Sequence, residues 1–306
     1  MSLVSLDSSS TNVAAATSDN IIFITDAHLS PITKLSGFNE GSITSVSFCP
    51  HSLHLLGAVS DDSSCVQLYD LRSSKSHVSR ISIQNSSSLT SISFNPTDPF
   101  FIVGSSSGSI YNCSLQQRPT VVNSFDFLHS DTITDIQYLS NSLAISSSDD
   151  GLISLFDTTL PVDDCLNHVF NCDSAILNCG SFGNFIWGVT HISSISVFSQ
   201  LNSEPLKPIL EIKDCRSVLP INHVIAISPF VDDELLIFGA TFDGEMIVST
   251  LFSNISPFSI KLFDDSIRSF SCNQNCYYFG SDDGHLALVG YNGNSFEIGN
   301  KIFLGN

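Results

Sequence analysis

A unit of about 40 residues recurs along this chain: strand, turn, strand, turn, strand, longer link, strand. Its clearest punctuation is ITSVSFCP at 43–50 against LTSISFNP at 89–96. In both, apolar residues alternate with small polar ones, and Pro50 or Pro96 follows the strand directly, where a missing N–H does no harm. Helical periodicity is almost absent. Seven copies can be counted, with boundaries near 3–36, 43–84, 89–126, 133–172, 175–214, 221–264 and 266–304. A short meander cannot bury both its faces alone, so each copy demands neighbours like itself. The pattern predicts one all-β domain over 1–306, a seven-bladed β-propeller of four-stranded antiparallel blades. FEIGNKIFL at 296–304 can supply the last outer strand unaided, which predicts ring closure by packing between whole blades.

The best-formed copy lies at 129–158. His129 and Ser130 precede a strand marked by Ile133, Ile136 and Tyr138. A second strand runs through Leu143 to Ile145, and Ser146 to Ser148 lead into the turn Asp149-Asp150-Gly151. A third strand closes on Phe156-Asp157. This order resembles a WD-repeat blade. In that family a loop His, a strand Ser or Thr, a turn Asp and a strand-end aromatic form a buried hydrogen-bonded chain. The resemblance implies that role for His129, for Ser146 or Ser148, and for Asp150 and Phe156. Phe156 has no indole N–H, so the last link is missing. Asp61, Asp243 and Asp283 stand at the corresponding turns and read as turn-forming residues, not as paired acids and bases or calcium ligands.

Charge narrows the partners. Thirty acidic residues face eleven basic ones, a net charge of −19, and no Lys/Arg cluster occurs. Nucleic acid and anionic membranes are therefore not expected partners, and a basic protein surface is the simplest complement. Nine cysteines fall mostly inside apolar strand patterns, as small core hydrophobes would. With no basic leader and no apolar run of about 18 residues, the expectation is an intracellular protein, cytoplasmic or nuclear. No HExxH, P-loop, G-x-S-x-G or metal-ligand quartet appears, so no cofactor, metal or catalytic residue is expected.

Two local features bear on partners. CVQLYDLR at 65–72 ends on Tyr69, Asp70 and Arg72. It resembles the aromatic-Asp-x-Arg box of WD-repeat substrate receptors of cullin–RING ubiquitin ligases, which implies that Arg72 docks a ligase adaptor while Asp70 orients it. EIKDCRSV at 211–218, with HSDTITDIQY and SSSDDGLISLFD in the same order, is similar to the WD-repeat-containing protein eighty-nine subfamily. If loops from each outer strand to the next inner strand form the binding face, its members include Phe38, Glu40, Phe127, Asp131, Asp214, Arg216, Asp264 and Asp265, with Phe38 and Phe127 as apolar anchors. The expected function is a non-catalytic scaffold for protein–protein interaction. The narrower alternative is the ligase receptor, and a metal-dependent enzyme on the acidic central face stands third.

Overall fold

A computed structural model describes residues 1–306 apart from 37, 39–40, 63, 74–78, 84–87, 117–118, 201–206, 231–233, 254–256, 274–275, 294 and 305–306. Among the described residues, 28 strands form seven antiparallel sheets of four, each a meander in sequence order. The sheets are blades 1 to 7 of a β-propeller, at 3–36, 43–82, 89–125, 133–171, 176–212, 223–261 and 267–303. Within each blade the first strand (a) lines a central channel of about 620 Å³, and strands b, c and d follow outward. Because the strands alternate in direction, the b–c turns and d–a loops share one end of the ring, the upper face. The a–b and c–d turns share the lower face.

Burial explains the strand composition. The b strands, such as Asn12–Thr17 and Phe100–Ser105, are covered on both faces by neighbouring blades and carry apolar or small residues almost throughout. The d strand Pro31–Ser36 is exposed along most of its length and tolerates polar side chains. Gly104 shows how tightly blades stack: a Cβ there would lie 2.5 Å from the Ile133 side chain of the next blade. Seven apolar clusters result, one in each gap between adjacent blades. Each blade thus supplies half of two cores, which is why no blade stands alone.

Ring closure follows the whole-blade expectation. Blade 1 draws all its strands from residues 3–36 and blade 7 all of its own from 267–303. The seam is an apolar cluster in which Leu3, Leu6 and Phe23 meet Tyr278, Leu286 and Leu304. Polar links reinforce it: the Tyr278 hydroxyl donates to the Ala27 carbonyl at 3.0 Å, and the Ser8 and Ser271 hydroxyls lie 2.8 Å apart.

Inner strands of adjacent blades do not pair with each other, so side chains satisfy their backbone groups. Asp7 accepts from the Phe48 N–H at 2.6 Å, Ser5 from Val46 N–H at 3.2 Å, and Ser93 from Tyr138 N–H at 3.1 Å. Gln137 donates to the Cys179 carbonyl and Asn178 to that of Ile225. Burial pushes the Asp7 carboxyl up to about 6 against the pull of these donors, and it raises Asp135 in the same way.

Candidate interaction surface

All seven b–c turns follow one plan. A hydroxyl ends strand b, or in blade 6 directly follows it: Thr17, Ser60, Ser105, Ser148, Thr190, Thr241 and Ser281. In blades 1, 3, 6 and 7 that hydroxyl donates to the carbonyl four residues on, as Ser105 does to Ser109 at 2.8 Å. The third residue after it takes a positive φ in Asn20, Gly108, Gly151, Ser193, Gly244 and Gly284. The two intervening residues form the tip of the turn on the upper face.

In blade 4 those positions serve the fold. His129 and Asp150 lie 3.1 Å apart through Nδ1, and Nε2 lies 2.8 Å from the Ser146 hydroxyl. A carboxylate only accepts, so Nδ1–H donates to Asp150 and Nε2 accepts from Ser146. Burial of the ring outweighs the pull of Asp150 and lowers the His129 pKa, which keeps this neutral tautomer. Asp150 also accepts from Ser130 N–H and Leu152 N–H, so one side chain fixes both turn and loop. Of the two serines left open by the sequence, Ser146 completes the chain, while Ser148 donates to the Asp131 carbonyl at 3.0 Å. Phe156 is fully buried and packs on Phe125.

The other turn acids do less. Asp61 accepts from Ser42 N–H at 2.6 Å, Asp283 pairs with His285 at 2.8 Å, and Asp243 is largely exposed 3.6 Å from Lys261. Asp283 also accepts from the Ser281 hydroxyl, but His285 follows the turn, so among the described residues these three turns lack the loop-His to strand-Ser bridge of blade 4.

Blades 5 and 6 break the pattern outward. Where blades 1, 2, 3, 4 and 7 place Ser or Asp at the two tip positions, blade 5 has His191-Ile192 and blade 6 has Phe242-Asp243. Ile192 is 52% exposed, Phe242 68%, and Val218 in the loop between the two blades 64%. Backbone links hold the three segments together. Cys215 N–H donates to the Ser193 carbonyl at 2.9 Å, and Phe242 N–H donates to the Asn222 side chain at 2.8 Å. The Phe242 ring stacks on His223, centroids 6.2 Å apart. On the far side, the Gly244 carbonyl accepts from Leu262 and Phe263 N–H, so exposed Asp264 and half-buried Asp265 adjoin the Phe242 turn. Three exposed apolar side chains thus stand on linked segments of one face, with carboxylates beside Phe242, an apolar band in this sense.

The sequence-derived candidates divide. Phe127 is exposed, and Asp131, Asp214, Arg216, Asp264 and Asp265 all lie on upper-face loops. Phe38 is a correction: it is only 6% exposed and packs with Leu35 and Ile43 between blades 1 and 2, so it offers no anchor. Glu40 lies outside the described residues. Tyr69 is a second correction. It is buried at the same interface, its hydroxyl within 3.0 Å of the Ser36 carbonyl and 2.7 Å of the Gln67 side-chain oxygen. Burial raises its pKa, and it presents nothing to a partner.

Asp70 and Arg72 sit on the lower face, in the c–d turn of blade 2. Arg72 is exposed, with Nε and Nη2 donating to Asp70 at 2.9 and 2.7 Å, and these bonds hold the Asp70 carboxyl down to about 2. Asp214 and Arg216 repeat the same chelate on the upper face, at 2.7 and 3.1 Å. There Asp214 caps the short 3-10 turn Cys215–Ser217. The recurrence identifies Asp-x-Arg as a local turn device as well as a presented guanidinium.

The nine cysteines are free and seven are buried. Among the described residues, no three His, Cys, Asp or Glu side chains converge as metal ligands, and no helix is long and apolar enough to cross a membrane.

Comparison with known proteins agrees with this geometry. The family model for the WD domain, G-beta repeat, matches residues 29–70 and 75–111. The chain is similar to a WD repeat-containing protein 89 homolog of Dictyostelium discoideum, 26% identical over 246 residues, covering 76% of this chain and 65% of the relative's own length. It is also similar to an uncharacterized WD repeat-containing protein of Schizosaccharomyces pombe, 26% identical over 250 residues, covering 72% of this chain and 75% of that relative. Among solved structures, the computationally designed Ika8 protein superposes with a TM-score of 0.69 over 98% of this chain and 86% of its own, at 15% identity, a likeness of fold alone. Two matched repeats, two such relatives and seven blades built on one turn plan agree: the chain is similar to WD-repeat propeller proteins.

Proposed function

We propose that this protein is a non-catalytic scaffold, in the cytoplasm or nucleus, that holds a protein partner on its upper face at blades 5 and 6. WD-repeat propellers as a family fit protein-interaction scaffolds. The observation that carries the finer reading is the exposure of Ile192 and Phe242 at turn positions where blades 1, 2, 3, 4 and 7 carry Ser or Asp, with Val218 exposed on the loop linked to both. Large apolar side chains left this exposed on a turn supply what an interface core needs. The test is affinity capture with mass spectrometry on wild type and Phe242→Ser. Serine already fills the equivalent position in blades 1 and 3 at Ser18 and Ser106, so the fold tolerates it. Captured proteins should fall away in the variant while unfolding free energy stays within about 0.5 kcal/mol. An unchanged set of captured proteins sinks the reading.

A second reading is favoured by the exposed Arg72 guanidinium held by Asp70: a substrate receptor docking a cullin–RING ligase through the lower face. The twin chelate at Asp214 and Arg216 weighs against it, because the same geometry arises there outside the box. The same capture with Arg72→Ala decides. Adaptor peptides that vanish in the variant support the receptor, and their absence from wild type removes it.

A further inference from the structure

We infer that the partner segment seated at blades 5 and 6 is basic, with Lys or Arg beside a large apolar side chain; this rests on the scaffold reading above.

Charge around the apolar residues is mostly acidic. Arg216 is engaged by Asp214 at 2.7 Å, Lys261 by Asp243 at 3.6 Å and Arg268 by Asp282 at 2.7 Å, Lys301 donates to the Leu262 carbonyl at 2.6 Å, and exposed Lys213 stands in the loop between blades 5 and 6, away from the Phe242 end. His191 faces Asp149 at 3.4 Å. Two carboxylates beside Phe242 have no cationic partner among the described residues. Asp264 is exposed, and Asp265 accepts the N–H of Ser266, its own neighbour, at 2.7 Å. Their position is fixed, because the Gly244 turn that carries Phe242 packs directly on the Asp265 carbonyl. An acidic segment would meet two unneutralised carboxylates over a chain of net charge −19, whereas a basic one completes them. The band supplies the apolar contact and the carboxylates supply selectivity, so the segment must satisfy both at neighbouring residues.

The experiment is panning of a random short-peptide library on the wild-type protein. The best enriched peptide is then measured by fluorescence anisotropy, at low and high salt, against wild type, Phe242→Ser and the double variant Asp264→Asn/Asp265→Asn. Enriched sequences should place Lys or Arg next to Phe, Leu, Ile or Trp. Each variant should weaken binding by about tenfold or more, and added salt should weaken the wild type but hardly the double variant. Enrichment of acidic or uncharged peptides, or full binding by the double variant, overturns the basic class. In that case sensitivity to Phe242→Ser still upholds the scaffold site. Binding that ignores Phe242→Ser, or a library yielding no enriched sequence, overturns both.

Discussion

The turns at Asp149-Asp150-Gly151 and Phe242-Asp243-Gly244 have nearly the same backbone, with φ of 83° and 81° at the glycine, and opposite uses. In blade 4 the tip acid turns back into the protein, where Asp150 locks His129 and Ser146 into a buried chain. In blade 6 the acid stays in solvent, and the residue before it is an exposed phenylalanine. A turn closed by its own hydroxyl and glycine leaves two side chains free of duty to the backbone. One copy spends them on stability and another on surface chemistry. Repeats can therefore keep a fold while placing a site on a single pair of blades.

The largest expected effect is on the blade 4 side of this comparison. His129→Ala strands Asp150 and Ser146, both nearly or fully shielded, without their partner. Loss of a satisfied buried network should cost about 2–4 kcal/mol in urea unfolding. Asp150→Ala should come close to it, and the double variant should lose much less than the sum, because both substitutions break one chain. Additive losses would mean that the two side chains act independently and that the blade 4 turn is no more coupled than the blade 6 turn.

Much of this was legible in the sequence, for reasons that differ by residue. The fold could be read because Pro50 and Pro96 and the strand–turn spacing repeat, and repetition averages out weak local signals. The pairing of His129 with Asp150 could be read from its order in the blade. The choice between Ser146 and Ser148 could not, since both lie on one face of a period-2 strand and only register separates them. Phe38 was misleading because an apolar residue in a loop looks the same whether it turns in or out. Its burial comes from Leu35 and Ile43, which flank it across the blade gap. Ile192 and Phe242 carried a usable signal that was overlooked. Aligning the seven turns shows Ser or Asp at every tip position except theirs and that of His191. Tyr69 was placed in a motif by its neighbours, though its own register on Cys65–Asp70 points it at blade 1.

Asp7 extends the comparison to the channel wall, where a half-buried carboxylate has N–H donors but no cation among the described residues. Its pKa is raised from 3.8 to about 6 because burial outweighs the Phe48 N–H. The sign follows from the unfolded chain losing its proton first. Below about pH 4 both states are protonated and there is no penalty. Between about pH 4 and 6 the penalty grows, and above about 6 the folded state carries the full cost of an ionised buried acid. Asp7→Asn keeps an acceptor for Phe48 and removes the charge. It should be more stable than wild type by about 1–3 kcal/mol at pH 7.5, with the advantage shrinking to nothing near pH 4. A variant that is less stable at pH 7.5 would show that the charge itself, unlike that of an ordinary buried acid, is needed to join blades 1 and 2.

The smallest effect returns to the two turns and separates backbone strain from packing. Gly151→Ala and Gly244→Ala both force an alanine to a φ near +80°, which costs about 1 kcal/mol in each. Beyond that they diverge. A Cβ at Gly151 would sit 3.3 Å from the Ser174 carbonyl, a tight but yielding contact. At Gly244 it would sit 2.5 Å from the Asp265 carbonyl and 2.6 Å from that of Phe263, so the loop between blades 6 and 7 must move. Gly244→Ala should therefore lose roughly 1 kcal/mol more than Gly151→Ala in chemical denaturation. Because the displaced loop carries Asp264 and Asp265, it should also weaken partner capture, while Gly151→Ala leaves capture unchanged. Equal losses of stability with capture intact in both would separate the Phe242 turn from the acidic loop. The apolar band and its carboxylates would then act as two surfaces and not as one.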